Sequence, residues 1–142
     1  METYRHGSHT VFSIHLHLVW VTKYRKKVLD GGVSHRVRDL IREICQREGV
    51  DIIKGHVSQD HIHLFVSIPP QVTISRLVQR LKGKTSHKLL TEFSHLRKTY
   101  WGRHFWAKGY CVSTVGLDEE QITKYVRWQQ NHDRKRDQQS LW

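Results

Sequence analysis

The sequence predicts an α+β domain: a split βαβ arrangement with a central antiparallel sheet, followed by a C-terminal helix that bears Tyr125. Three observations lead there. Residues 11–21 and 61–68 alternate apolar and polar side chains with a period of two. The segments that begin at Ser34 and Thr73 repeat apolar residues at helical spacing, and short turn signals at 58–60 and Gly116 separate what remains. At 142 residues the chain is expected to form one domain, with 1–10 and 133–142 as flexible tails.

In the first strand Ile14, Leu16, Leu18 and Trp20 share one face and His15, His17, Val19 and Val21 the other. A basic turn, Lys23 to Lys27, follows it, and Asp30, Gly31 and Gly32 break the chain. Ser34 is placed to cap a helix whose apolar positions Val37, Leu40, Ile41 and Ile44 fall at i, i+3, i+4 and i+7, and Gly49 stands where it stops. Val50–Val57 and His61–Ile68 make a hairpin that Pro69 and Pro70 end. Thr73 caps a second helix with Ile74, Leu77, Val78 and Leu81 as its buried stripe.

Residues 92–110 mix Phe93, Tyr100, Trp101, Phe105, Trp106 and Tyr110 with cations, a pattern that suits unpaired bases as well as a core. Tyr110–Val115 reads as the last strand, and Asp118 with Gln121 as a capping box. On the helix that follows, Ile122, Tyr125, Val126 and Gln129 form one stripe. The order β, α, β, β, α, β, α is ferredoxin-like and RRM-like, with an expected strand order of 4-1-3-2. That order sets the first and third strands side by side and leaves His61 and His63 on the face without helices.

The net charge of +11 and a pI near 10.0 point to nucleic acid as partner. No apolar run approaches the ~20 residues of a membrane span, and 1–10 lacks the apolar stretch of a secretory signal, so no membrane partner and a cytoplasmic location are expected. Cys45 and Cys111 form no framework.

His61 and His63 stand two residues apart on one strand face, so both can reach one metal ion, with Asp60 as ligand or outer-shell acceptor. The segment His15-Leu16-His17 has the same form, and the residues alone do not choose between the two pairs. The tetrad Gly83-Lys84-Thr85-Ser86 is no P-loop, because the first glycine of that motif falls on Val78.

Five pieces of the sequence resemble the HUH-type single-tyrosine transposases, the TnpA family, which move insertion sequences as single-stranded DNA. They are His17-Leu18-Val19-Trp20-Val21-Thr22-Lys23-Tyr24-Arg25, Asp60-His61-Ile62-His63-Leu64, Leu81-Lys82-Gly83-Lys84-Thr85-Ser86, Trp106-Ala107-Lys108-Gly109-Tyr110, and Tyr125-Val126-Arg127-Trp128-Gln129-Gln130. The resemblance runs from about His15 to Gln130 and selects His61 and His63 over the first-strand pair. It implies that Tyr125 is a nucleophile forming a 5′-phosphotyrosine link, and that Gln129 joins His61 and His63 in holding Mg2+ or Mn2+. It further implies a hairpin-bearing single-stranded DNA substrate and a homodimer that shares its tyrosine helices. Lys23, Arg25, Arg80, Lys82 and Lys84 are the expected DNA contacts. Two other readings stay open: a relative acting on repeated chromosomal palindromes, and a non-catalytic RRM-like module, although the RRM signature is absent.

Overall fold

The structure, a computed structural model, describes residues 5–6, 11–12, 14–101 and 104–140. A short antiparallel ribbon of β1 (Arg5–His6) and β2 (Val11–Phe12) comes first. It is followed by β3 (His15–Val21), a 3-10 turn (Lys23–Arg25), α1 (Gly31–Glu48), β4 (Asp51–Val57), β5 (His61–Ser67), α2 (Ile74–Glu92), α3 (Ser94–Tyr100), β6 (Cys111–Ser113) and α4 (Glu119–Ser140). The strand predicted over 11–21 is thus divided, its first part pairing in the ribbon and its second in the main sheet.

The main sheet has the order β4-β5-β3-β6, with every neighbour antiparallel. Counting only these four strands, that is 2-3-1-4, the predicted ferredoxin-like order read from the other edge. Leu16, Leu18 and Trp20 of β3 and Ile62, Leu64 and Val66 of β5 are all buried, packed with Val37, Leu40, Ile41 and Ile44 of α1 and Leu77, Val78 and Leu81 of α2. Side chains of this kind contribute roughly 1.5–3 kcal/mol each on burial, which fixes the register: a slip of one residue would turn all six strand residues to the wrong face.

Helix ends follow local chemistry. Thr73 accepts from the Arg76 amide at 3.3 Å, Gly49 takes the left-handed conformation with φ 71, and Asp118 and Gln121 exchange hydrogen bonds of 2.8 and 3.0 Å. Helix α1 starts earlier than Ser34, at Gly31, because the Ser34 amide closes a first turn onto the Asp30 carbonyl at 3.2 Å. Helix α3 is an element the mixed pattern of 92–110 did not predict. It buries Leu96 and Tyr100, and the aromatics after it split: Phe105 and Trp106 are core, Trp101 is 86 % exposed.

Helix α4 runs on to Ser140, past the Asn131 end that the polar sequence suggested, and Asp133, placed in a flexible tail by that reading, is fully buried. Residues 1–4, 7–10, 141 and 142 of the expected tails lie outside the described residues. Among the described residues no helix is long and apolar enough to cross a membrane.

Candidate metal and nucleophile site

The face of the sheet opposite α1 and α2 carries the predicted pair. In the β3–β5 ladder Val21 is opposite His61, Val19 opposite His63 and His17 opposite Phe65, so His17 is the diagonal neighbour of His63. His17 Nδ1 lies 3.2 Å from His63 Nε2, sharing one proton between two ring nitrogens, and the His17 ring stacks on Phe65 at 4.2 Å. The first-strand pair therefore does not compete with His61 and His63 as a unit: His17 joins their cleft.

His61 Nδ1 donates to Asp60 Oδ1 at 2.8 Å, and Arg25 Nε donates to the other carboxylate oxygen at 2.9 Å. Burial pushes the Asp60 pKa up, yet these two bonds outweigh it and hold the group below its ordinary value. Asp60 thus fixes the His61 ring through Nδ1 and leaves Nε2 as the ring nitrogen not engaged by the carboxylate. Burial, and then the closeness of His17, His61, His56 and Lys54, keeps His63 below the usual histidine range. A neutral imidazole is the form that binds metal.

A β-bulge completes this side. Ile52 is opposite Val66 and Lys54 opposite Phe65, so Ile53 is the extra residue, and the alternation shifts after it. Lys54 and His56 are thereby turned onto the histidine face, while Gly55 falls opposite Leu64 on the core face, where a Cβ would come within 3.1 Å of Leu64 Cδ2. The cleft, about 770 Å³, is lined by His17, Lys54, His56, His61, His63 and Phe65, by Leu117 and Asp118, and by Glu119, Ile122 and Thr123 in the first turns of α4. Neither Lys54 nor His56 was predicted, because a bulge leaves no mark in a pattern read with period two.

Helix α4 packs across the far end of β3: Val126 is buried against Val21 and Ala107, with Ile122 and Tyr125 partly buried beside them. Tyr125 donates its hydroxyl proton to Gln129 Oε1 at 3.2 Å. Burial, and then the negative charge that Cys111 and Asp133 can carry, pushes the Tyr125 pKa above that of a free phenol. Among the described residues, those lining the cleft include neither Tyr125 nor Gln129. The two predicted partners on α4 are bonded to each other, on a helix packed against Val21, the cross-strand neighbour of His61.

Among the described residues no three His, Cys, Asp or Glu side chains stand close enough to hold a metal ion by themselves. The donors fit a divalent ion nonetheless: two imidazoles, one ring fixed by a carboxylate and the other held neutral, with an amide oxygen on a neighbouring helix.

A family described as "Transposase IS200 like" matches residues 10–129. The chain belongs to the IS200-like transposase family. It is 35% identical to the ISDra2 transposase TnpA of Deinococcus radiodurans over 129 residues, covering 90% of this chain and 91% of that one. It is 34% identical to the transposase for insertion sequence element IS200 of Salmonella typhimurium over 134 residues, 94% of this chain and 88% of the relative. A crystal structure of a transposase from Deinococcus radiodurans R1 superposes with a TM-score of 0.78 at 32% identity, covering 88% of this chain and 97% of the other. A REP-associated tyrosine transposase, solved bound to a REP hairpin, shares the fold, with a TM-score of 0.55 at 13% identity over 89% of this chain and 68% of that one.

In this transposase the five cations predicted to meet DNA have unlike surroundings. Lys23 Nζ lies 3.4 Å from Asp133, Arg25 is tied to Asp60, and Arg80 is paired with Glu48. Lys82 donates to the carbonyls of Ala107 and Gly109 at 2.7 and 2.9 Å, and Lys84 is exposed. Lys23, Lys82 and Lys108 share a second cavity of about 580 Å³ with Ser86, His104 and the 105–107 segment.

Proposed function

We propose that this transposase cleaves and rejoins single-stranded DNA at hairpin-marked ends, with Tyr125 as nucleophile and His61, His63 and Gln129 holding Mg2+ or Mn2+. The observation that carries this reading is a phenol and an amide four residues apart on a helix packed onto Val21, the cross-strand neighbour of His61. The likeness to a tyrosine transposase described as bound to a hairpin supports the substrate class.

In the reaction Tyr125 Oη forms a bond to phosphorus while the bond from phosphorus to the 3′-oxygen breaks. The phenol loses its proton and the departing 3′-oxygen gains one, so the step is balanced without a further reactant. It leaves a 5′-phosphotyrosine and a 3′-hydroxyl, and reversal with a different 3′-hydroxyl transfers the strand. A bound divalent ion neutralises charge on the phosphate oxygens and favours the phenolate. That help is needed, since a phenol is already protonated at neutral pH and burial pushes the Tyr125 pKa further up. Asp60 and His17 keep the two imidazoles oriented before substrate arrives.

We also propose a homodimer in which α4 of one subunit serves the histidines of the other. The resemblance to transposases that share their tyrosine helices between subunits is what supports exchange. An adduct assay tests the nucleophile: protein, Mn2+ and 3′-labelled single strands carrying a hairpin, resolved on a denaturing gel. A labelled band at protein mass is expected, lost with Tyr125→Phe and with chelator, while binding of the uncleaved strand is retained. A band of undiminished intensity from the Phe variant would rule Tyr125 out.

A further inference from the structure

The two ends of a glutamine amide have opposite chemistry: Oε1 accepts hydrogen bonds and can ligate a hard cation, whereas Nε2 carries two hydrogens and does neither. In a buried site the neighbours decide which end faces where. Gln129 is 1% exposed, and its Nε2 donates to Asp133 Oδ1 at 3.4 Å while its Oε1 accepts from Tyr125 at 3.2 Å. Asp133, one turn further along α4, is 0% exposed. Its carboxylate also accepts from Lys23 Nζ at 3.4 Å and from the Tyr24 amide at 3.3 Å. That amide is presented from the left-handed turn after β3, where Tyr24 has φ 59.

Both oxygens of the Asp133 side chain face donors, Oδ1 the Lys23 ammonium and Oδ2 the Tyr24 amide, so on this side it offers only acceptors. It can face the NH2 end of the amide and not the oxygen. We infer that Asp133 is a positioning residue: anchored by Lys23 and the Tyr24 amide, it turns Gln129 so that Oε1 points up the helix to Tyr125 and is available as a metal ligand. The inference rests on the reading of Gln129 as a ligand.

The isosteric change Asp133→Asn separates orientation from packing. With the Asn oxygen kept on the Tyr24 amide, its NH2 group takes the place of Oδ1 and demands an acceptor. Gln129 must then turn its oxygen toward position 133 and away from Tyr125. Outer-shell changes of this kind cost about 10–100-fold in metal affinity. In the double variant Gln129→Glu with Asp133→Asn, either carboxylate oxygen serves, one accepting from Asn and the other facing the site.

The test is Mn2+ binding to the full chain without DNA, by isothermal titration and by electron paramagnetic resonance of free Mn2+. Asp133→Asn is expected to weaken binding about tenfold or more, and the double variant to recover to within a few-fold of the native protein. Native affinity in Asp133→Asn, with Gln129→Ala impaired, overturns the positioning role alone. Native affinity in Gln129→Ala overturns the ligand reading beneath it and the inference with it. Weakened binding in Asp133→Asn that the double variant fails to recover means that Asp133 acts through packing, not amide orientation.

Discussion

Burying a lysine ammonium costs more than two carbonyl hydrogen bonds offset, and Lys82 is such a case: burial lowers its pKa from 10.5 to about 8, against the opposing pull of Asp133. The folded chain therefore binds fewer protons than the unfolded chain between pH 8 and 10.5. Stability attributable to this group is lowest below pH 8 and rises with pH through that window. We expect the Lys82 Nζ resonance to titrate with a midpoint near 8. The rise in urea midpoint on going from neutral to alkaline pH should be smaller in Lys82→Met than in the native protein, and an equal rise in both would refute the burial argument. Lys82 was expected to meet DNA, and its carbonyl partners within the fold were illegible because they lie 25 and 27 residues further on, in a loop with no periodic pattern. His61 and His63 were legible for the converse reason, since a strand's period of two is local. His17 stood between these cases: its face was legible, but its contact with His63 depends on the register of two strands far apart in sequence.

Among the helices and strands, what the sequence revealed was set by whether the determining contacts lie within the element. Capping is local, so Thr73, Gly49 and the Asp118–Gln121 pair behave as their residue types dictate. Gly49 carries a measurable consequence. At φ 71 a Cβ meets the following carbonyl, so Gly49→Ala should destabilise the fold by about 1–2 kcal/mol in chemical denaturation, with no change in the dependence on denaturant. A smaller effect would mean that the turn relaxes to another conformation. The bulge at Ile53 and the burial of Asp133 on α4 were not legible, because each is decided by a partner: Val66 and Phe65 across the ladder, and the turn after β3 for Asp133. A polar run such as Asn131 to Arg136 reads as solvent-facing until a lysine and a backbone amide are brought to its one carboxylate, Asp133.

Across the whole molecule the sheet separates two jobs: α1 and α2 cover one face with the apolar core, and the other face is left to histidines, a bulge-turned lysine and the tyrosine helix. The predicted strand order was enough to foresee this division, since it depends only on which strands are adjacent. Where DNA runs depends instead on which of the 24 Lys and Arg residues keep their charge available. Arg25 and Arg80 already neutralise Asp60 and Glu48, so they release fewer counterions when a phosphate approaches than the formal charge of +11 suggests. Lys54, at the cleft beside His63, and Lys84, on the outer face of α2, are exposed. For single strands each neutralised phosphate adds about 0.7 to the slope of log affinity against log salt. Replacing Lys54 or Lys84 by Gln should therefore lower the slope by about that amount, and Arg80→Gln should leave it unchanged. The measurement is fluorescence anisotropy of a labelled hairpin strand over a series of salt concentrations, with Tyr125→Phe as the background so that cleavage does not intrude. If Arg80→Gln lowers the slope and Lys54→Gln does not, the strand crosses α2 and not the histidine face, and the placement of the reacting phosphate at His61 and His63 is wrong.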